Sequence, residues 1–256
     1  MTAVGLPTPA TSLSRGLGVL LSLEGDTPRT VSELAYELEM PISTLYRFLR
    51  ELRRFGFVIE PVDGEYTLGP AILDLALGSW LNGYLLRAVQ PALTRLMTRH
   101  QETALAVVRD GLRARTIAQA EAERPIRFSF RLGTLQSLHA GASATALLAF
   151  QPASVINAVI EQGLERFTPG TPGDSAELQA MLAQIRREGI AISNAQVDVG
   201  VLAVAAPVFY RGRALSAISL VGPSERCQSS VTELSEGVRA EAARVSEELE
   251  QWRSEE

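Results

Sequence analysis

The sequence predicts an α+β fold, in which an N-terminal winged helix-turn-helix is joined by a linking helix to an α/β domain built on an antiparallel sheet. Two observations predict it. Three amphipathic helices and a hairpin follow one another in the first 70 residues, and the later chain runs from strands to helices and back to strands. We therefore divide the chain into a winged helix-turn-helix at 10–70, a linking helix at 71–88 and a second domain at 89–256.

The helix-turn-helix is the most informative part of the sequence. Its first helix begins at Thr30, because Thr30-Val31-Ser32-Glu33 has the pattern of a capping box. Pro41 ends the connection that follows and suits the start of the second helix. One face of this second helix is apolar and consists of Leu45, Phe48, Leu49 and Leu52. We expect residues 13–23 to form the supporting helix of this core, through Leu13, Leu17, Leu20 and Leu21.

The opposite face of the second helix is polar and rich in arginine. A helix in a major groove needs short hydroxyl side chains near its N-terminus and Arg one and two turns on, because these reach base edges and phosphates. Residues 41–56 carry four Arg against a single acidic residue, Glu51. We expect Ser43, Thr44, Tyr46, Arg47 and Arg50 to read and hold the groove, with Arg53 and Arg54 on phosphates.

A hairpin completes the winged arrangement. The β-prone triplets Val58-Ile59-Glu60 and Tyr66-Thr67-Leu68 flank Asp63-Gly64, a strong turn signal because both residues tolerate positive φ. The order of helices and hairpin predicts double-stranded DNA as the partner, with the wing near Gly64 touching the backbone or the minor groove. The alternative is that the arginine face is only the solvated side of an ordinary helix.

The charge of the N-terminal part does not by itself favour DNA binding. Residues 1–80 hold six Arg and ten Asp or Glu, a net charge of −4, and the whole chain carries −5. Binding to phosphates favours a basic domain. We therefore expect a narrow positive strip on an otherwise acidic domain. We also expect the affinity for DNA to increase when two or more DNA-binding domains are held together.

Composition limits the class of protein. Cys227 is the one cysteine, so no disulfide can form within the chain, and all 24 basic residues are Arg, which excludes Schiff-base catalysis by lysine. Met1–Ala10 lacks the pattern of a signal peptide, and Ala71–Leu81 carries Asp74 and is too short to span a bilayer. These features predict a cytoplasmic protein with no membrane partner.

Residues 71–87 are apolar nearly all round, which predicts a helix with one face against another subunit. The alternative is a helix buried between the two domains of one chain. In the second domain, we expect a helix to start at Pro91 and the last helix to start at Ser230. The expected strands are 103–109, 113–121, 126–131, 201–209 and 213–221, and the other expected helices are 143–150, 153–162 and 175–188.

Several stretches resemble, in order, the IclR family of bacterial transcriptional regulators. Leu13-Ser14-Arg15-Gly16-Leu17 resembles the opening of that family, residues 41–49 its recognition helix and residues 66–70 the end of its wing. The resembling landmarks of the second domain are Leu138-His139-Ala140, Arg166-Phe167-Thr168-Pro169, Ala205-Ala206-Pro207-Val208-Phe209 and Ser219-Leu220-Val221-Gly222-Pro223.

The resemblance implies a GAF-like effector-binding domain, a homodimer or homotetramer, and a small organic acid or aromatic catabolite as effector. It places the effector between the sheet and the small-residue helix, where backbone N–H groups at the helix start can hold a carboxylate. Carried over to this sequence, the effector-binding residues are Phe128 and Phe130 from the strand 126–131, Ala142, Ser143 and Ala144 at the helix, and Asn194, Ala203, Ser219 and Val221.

This sequence departs from the pattern of family members that bind small keto acids. Ser193-Asn194-Ala195-Gln196 stands where those members carry acidic residues, Val221 replaces a Ser, and Thr145 replaces a common Lys. With two phenylalanines and few polar groups, the site favours a larger, more apolar and aromatic ligand. The alternative is that Phe128 and Phe130 are core residues and the pocket is occluded.

The sequence carries little sign of other chemistry. His100 and His139 are the two histidines and no metal-ligand spacing occurs, so we expect no metal, no cofactor and no enzyme. The alternative function is a small hydrolase that uses Ser143 and His139, with the winged helix binding protein, although a Gly-x-Ser-x-Gly elbow is lacking. A third class is a sensor that binds ligand and a protein partner but no DNA.

Overall fold

The computed structural model describes residues 11–24, 27–75 and 83–251. These residues form two compact units, one ending at Leu75 and the other beginning at Gly83. The expected linking helix 71–88 is described only at its two ends, and the expected subunit face on 71–87 lies largely outside the described residues. The boundaries given above for the three parts of the chain stay a prediction.

The N-terminal unit is a winged helix-turn-helix, as the sequence predicted. Its strands form an antiparallel three-stranded sheet in the order β1-β3-β2. The elements are α1 (Ser12–Ser22), β1 (Arg29–Thr30), α2 (Val31–Glu37), α3 (Ile42–Arg54), β2 (Val58–Val62), β3 (Glu65–Leu68) and α4 (Pro70–Leu75).

Local signals explain where these elements begin and turn. The capping box of α2 is present, since Glu33 N donates to Thr30 Oγ1 over 3.3 Å and Thr30 N donates to Glu33 Oε2 over 2.8 Å. In the hairpin Gly64 has φ +78°, a value that favours glycine, and its amide donates to Glu60 Oε1 over 3.0 Å. The core beneath consists of Val19, Leu23, Val31, Leu34, Met40, Leu45, Leu49, Val58 and Tyr66.

The expectation for α1 holds for Leu20, which packs against the core, and is wrong for the other three leucines. Leu13, Leu17 and Leu21 are 72%, 50% and 53% exposed, whereas Val19 and Leu23 enter the core. The reason is that α1 packs through its glycines: Gly16 lies against Phe48 and Gly18 against Leu38. Because the glycines face the neighbouring helices, the side of α1 that carries Leu13, Leu17 and Leu21 faces solvent.

The C-terminal unit is built on a six-stranded antiparallel sheet with the strand order β6-β5-β4-β9-β8-β7. Its elements are α5 (Leu86–His100), β4 (Thr103–Asp110), β5 (Arg113–Ala120), β6 (Leu135–Ser137), α6 (Ala142–Leu148), α7 (Ala153–Glu161), α8 (Ser175–Glu188), β7 (Ala191–Asn194), β8 (Val201–Tyr210), β9 (Arg213–Pro223), α9 (Ser224–Cys227) and α10 (Val231–Gln251).

Helices cover both faces of this sheet. We call the face that α6 covers the inner face; it carries Ala203, Ala205, Ser219 and Val221 together with Leu105. Helices α5 and α10 pack on the opposite, outer face, through β4 and β8. Because both faces are covered, the central strands β4, β8 and β9 are buried along nearly their whole length.

Two expectations for the second unit are wrong. Pro91 lies inside α5 and does not start a helix, because the buried Ala88, Val89, Ala92 and Leu93 on both sides of it hold the helix together. Residues 126–131 do not form a strand and run as irregular backbone. Strands β6 and β7 were not expected from the sequence, since each is short. No helix within the described ranges is long and apolar enough to cross a membrane.

Candidate DNA-binding and effector-binding sites

Helix α3 presents one polar face to solvent. Leu45 and Leu49 are 0% and 1% exposed and fix the opposite side of the helix in the core. Spacings of three and four residues place the exposed side chains on one side of the helix. The predicted residues of this face, of which Thr44 is half-buried and the others are exposed, are Ser43, Thr44, Tyr46, Arg47, Arg50, Arg53 and Arg54.

The arginines of this face differ in their partners. Arg53 forms an ion pair with Glu60 of the wing, and Arg54 lies 3.6 Å from Glu51 Oε2. Arg47 lies over the ring of Phe48, and Arg50 has no ion-pair partner among the described residues. Within the described ranges, no carboxylate pairs with Arg47 or Arg50, whereas Arg53 joins the helix to the wing.

The wing is fixed to α3 through Glu60. Its carboxylate accepts from the amide of Gly64 and from Arg53. The Gly64 N–H, followed by the side chains of Tyr66 and Arg53, lowers the pKa of Glu60. Burial raises the pKa of Tyr66, and the Glu60 carboxylate raises it further. The wing and α3 thus present one continuous surface, with Gly64 at the turn.

The predicted effector residues of α6 and the sheet meet at the inner face. Ala142, Ser143 and Ala144 are buried, and Ser143 Oγ donates to Ser219 Oγ over 2.8 Å. Ala203 lies opposite Val221 in the register of β8 and β9. Ser219 Oγ also lies 3.5 Å from the carbonyl oxygen of Leu105. The structure therefore brings Ala142, Ser143, Ala144, Ala203, Ser219 and Val221 together.

Phe128 and Phe130 reach the same region from an irregular segment. Both rings are partly buried and pack against the inner-face core. Thr103 Oγ1 donates to the Phe128 carbonyl over 2.7 Å, and the Phe130 amide donates to Gln119 Oε1 over 3.0 Å. Side chains thus hold this backbone in place of the strand pairing that the sequence had indicated.

Asn194 lies on the other side of the sheet from these residues. In the register of β7 and β8, Asn194 pairs with Leu202, while Ser193 pairs with Ala203. Residues paired directly across two strands share a face, so Ser193 belongs to the inner face. The amide of Asn194 instead contacts Gln228 and Ser224. The structure therefore does not bring Asn194 together with the other predicted effector residues, and Ser193 is its neighbour on the inner face, which alternation from a known inner residue would have found.

Gln196 is a further residue that the sequence did not indicate. Its Oε1 accepts from the amide of Gly141, directly before α6, over 3.1 Å, and its carbonyl accepts from Thr171 Oγ1 over 2.6 Å. The side chain therefore fixes the loop after β7 against the start of α6. No local pattern reveals such a contact, because the two residues are 55 positions apart.

This arrangement suits a mainly apolar ligand. Small alanine side chains leave room, two phenylalanines lie at the rim, and the polar side chains within include the hydroxyls of Ser143, Ser193 and Ser219. In the structure these side chains are covered and the hydroxyls of Ser143 and Ser219 bond to each other, so a ligand must part α6, the sheet and the aromatic rim to enter. Whether the site is open or occluded stays a prediction, since Phe128 and Phe130 are only partly buried against the core.

The residues of the hydrolase alternative are occupied elsewhere. Ser143 donates to Ser219, and His139 Nε2 lies 2.9 Å from the carbonyl oxygen of Glu165 while its ring stacks on Phe167.

Burial raises the pKa of the Cys227 thiol to about 11, which keeps it protonated and unreactive. In the part of the chain that the structure describes, no group of His, Cys, Asp or Glu could hold a metal ion.

Comparison with known proteins identifies the family of both domains. Residues 12–60 match the IclR helix-turn-helix domain, and residues 82–247 match the C-terminal domain of bacterial transcriptional regulator IclR. The HTH-type transcriptional repressor AllR of Klebsiella pneumoniae is 31% identical over 221 residues, which cover 85% of this chain and 81% of that protein.

Solved structures give the same result. The IclR of Thermotoga maritima has a TM-score of 0.62 and 25% identity, covering 93% of this chain and 98% of its own. An IclR homologue complexed with 4-hydroxybenzoate, from Microbacterium hydrocarbonoxydans, has a TM-score of 0.63 and 26% identity, covering 93% and 99%. The chain therefore belongs to the IclR family of bacterial transcriptional regulators, which join a helix-turn-helix DNA-binding domain to an effector-binding domain.

Proposed function

We propose that this regulator reads its operator with α3 and that a small aromatic carboxylic acid controls it through the inner face of the C-terminal sheet. The observation that carries the first part is the exposed polar face of α3. Ser43, Thr44 and Tyr46 reach base edges near the start of the helix, and Arg47 and Arg50 hold the groove. Arg54 and the wing near Gly64 contact phosphates.

Arg53 has a different role in this proposal from the one the sequence indicated. Its ion pair with Glu60 fixes the wing relative to α3, so its charge is partly neutralised within the protein. We propose that Arg53 positions the wing first and contacts phosphate second. Substitution of Arg53 should then alter wing placement as well as phosphate binding.

The aromatic acid is supported by two observations. The inner face combines small side chains with Phe128 and Phe130, and it lacks a charged side chain among the predicted effector residues. A solved relative is complexed with 4-hydroxybenzoate. We propose that Ser143 and Ser219 give up their mutual hydrogen bond to the polar group of such a ligand, while the two phenylalanines contact its ring.

We also propose that the regulator acts in the cytoplasm as a homodimer or homotetramer. Leu13, Leu17 and Leu21 form an exposed stripe at a spacing of four residues along α1. Such a stripe is typical of a helix that meets another helix. Joining two DNA-binding domains also offsets the net charge of −4 in residues 1–80, which disfavours binding by one domain alone.

The DNA-binding part is tested by Arg47→Ala in the full chain. Removing a base-contacting arginine should weaken binding to the DNA upstream of the chain's own gene by about 1–3 kcal/mol. The measurement is a fluorescence anisotropy titration at fixed salt. Arg187→Ala is the matched control, because it removes the same charge from an exposed site in the C-terminal unit. Equal affinity of both variants and the unmodified chain would reject the assignment of α3.

A further inference from the structure

Residues 121–132, which we call the aromatic segment, lack strand pairing although they carry Phe128 and Phe130. They connect β5 to β6, and the ladder between these strands is confined to residues 113–115 and 135–137. Ile126 and Leu132 of the segment are 73% and 57% exposed. A segment without ladder hydrogen bonds can open without breaking the sheet, so the contacts that hold it down decide its position.

The first contact is the hydroxyl of Thr103. This side chain is completely buried, donates to the Phe128 carbonyl over 2.7 Å and accepts from the Ala122 amide over 3.2 Å. One hydroxyl therefore holds both ends of a seven-residue stretch. Because Thr103 lies opposite Val221, this point belongs to the inner face where we propose that the effector binds.

The second contact is an ion pair between the buried Glu102 and the partly buried Arg226, whose side chain is 31% exposed. Arg226 Nε lies 2.5 Å from Glu102 Oε1, and its Nη2 lies 2.8 Å from Oε2. The Glu102 side chain is 5% exposed, and the same Nη2 also donates to the Ile126 carbonyl over 3.3 Å. The pairing raises the pKa of the Arg226 guanidinium. One guanidinium thus joins a buried carboxylate to the aromatic segment.

The backbone makes room for this pair at Gly222. A Cβ atom there would lie 2.6 Å from Glu102 Oε2 and 2.5 Å from Cys227 Sγ, both too close for a side chain. The carboxylate is therefore seated against the bare backbone of β9. Removing Arg226 alone should be strongly destabilising, because it leaves a buried carboxylate without its partner.

We propose that Glu102 and Arg226 are the positioning pair that holds the aromatic segment, and with it Phe128 and Phe130, closed over the inner face. The proposal deepens the proposed effector site and rests on it for its functional meaning. The pair also lies close in sequence to the two helices of the outer face. Glu102 follows the end of α5, and Arg226 lies in α9, five residues before α10 begins at Val231.

The test compares the double variant Glu102→Gln/Arg226→Gln with Arg226→Gln alone. The single variant leaves the buried carboxylate unpaired and can fail to fold, whereas the double variant removes both charges. Arg95→Gln is the matched control, because it breaks the Arg95–Glu241 ion pair between α5 and α10 in the same unit.

Two readouts follow the segment without any ligand. Hydrogen exchange is measured on peptides covering residues 121–132 and on peptides from β8. Limited trypsin digestion is followed at the bonds after Arg127 and Arg131, which lie in or beside the segment. In the double variant we expect exchange and cleavage of the segment to rise about ten-fold, since a charge-assisted hydrogen bond is lost. β8 should be unchanged, and Arg95→Gln should resemble the unmodified chain.

If the aromatic segment of the double variant exchanged and was cleaved at the same rates as in the unmodified chain, the proposal would be overturned. An equal rise in β8 would also overturn it, because the pair would then only stabilise the whole unit. Binding of 4-hydroxybenzoate, followed by calorimetry, adds the functional part: we expect about ten-fold weaker binding in the double variant. If the unmodified chain does not bind this probe, the proposed effector class fails, while the segment rates still decide the role of the pair.

Discussion

The exposed polar face of α3 and the inner face of the C-terminal sheet differ in how their polar side chains are paired and exposed. On α3, Arg47 and Arg50 face solvent without a neutralising carboxylate. At the inner face, Ser143 and Ser219 are buried and bond to each other. The surface that we propose for DNA binding is therefore already exposed in the chain alone, whereas the site that we propose for the effector is covered and would have to open to accept a ligand. A site that changes on ligand binding can shift the population between two conformations of a protein.

The largest expected effect tests whether the core beneath α3 keeps the exposed polar face of that helix in place. Leu45 is fully buried in the N-terminal core, so Leu45→Ala should lower the free energy of unfolding of that unit by about 2–5 kcal/mol. Urea denaturation followed by circular dichroism measures it.

Ile42 provides the control on the same helix. It is 52% exposed, and Ile42→Ala should change the stability by no more than about 0.5 kcal/mol. A loss in Ile42→Ala equal to that in Leu45→Ala would show that α3 is held by contacts other than its apolar face.

The core of α3 also shows why this part of the fold was predictable. Leu45 and Leu49 recur at helical spacing, the Thr30–Glu33 box marks a helix start, and Asp63-Gly64 marks a turn. Each signal lies within a few residues of the structure that it specifies. The exposed leucines of α1 were not predictable in this way, because the orientation of α1 depends on the approach of Gly16 to Phe48.

The arrangement of residues at the inner face was less predictable, because its contacts are distant in sequence. Phe128 was expected on a strand, but its backbone is bonded to Thr103, a side chain 25 positions away. Gln196 reaches Gly141 over 55 positions, and only the register of β7 and β8 shows that Ser193 faces inward. The family resemblance indicated this region, and the structure shows which of the residues named there lie together at the inner face.

Substitutions of Ser143 and Ser219 should lower the stability of the C-terminal unit by an intermediate amount, and the two substitutions should differ in cost. Ser219→Ala removes the acceptor of Ser143, whose buried hydroxyl is then unsatisfied, and should cost about 1–3 kcal/mol of stability. Ser143→Ala should cost less, because Ser219 Oγ still has the Leu105 carbonyl at 3.5 Å. The unfolding transition of the C-terminal unit in urea measures both variants.

The double variant Ser143→Ala/Ser219→Ala completes this comparison. It removes both hydroxyls, so it should be more stable than Ser219→Ala alone. Equal costs for the two single variants, together with an additive double variant, would contradict the hydrogen bond as the link between α6 and the sheet.

The smallest expected effect concerns pH and His100. Burial lowers the pKa of this side chain below 6.5, the neighbouring Arg99 lowers it further, and Glu233 opposes both. The unfolded chain therefore binds a proton more readily than the folded chain, so stability should fall as the pH drops through about 6.5 and level off below the folded pKa.

Thermal unfolding between about pH 7.5 and 5.5 measures this effect. His100→Gln should lose this part of the pH dependence, whereas His139→Gln, which changes the other histidine, should retain it. The same pH dependence in His100→Gln and in the unmodified chain would show that another group is responsible.

Arginine labelling in the presence of DNA tests the reading role of α3 most directly. The chain has 24 Arg and no Lys, so phenylglyoxal labelling followed by mass spectrometry samples its positive charges residue by residue. With upstream DNA bound, we predict several-fold slower labelling of Arg47 and Arg50, while Arg187 labels as it does without DNA. DNA binding that leaves the labelling of Arg47 and Arg50 unchanged would contradict the assignment of α3 as the reading helix.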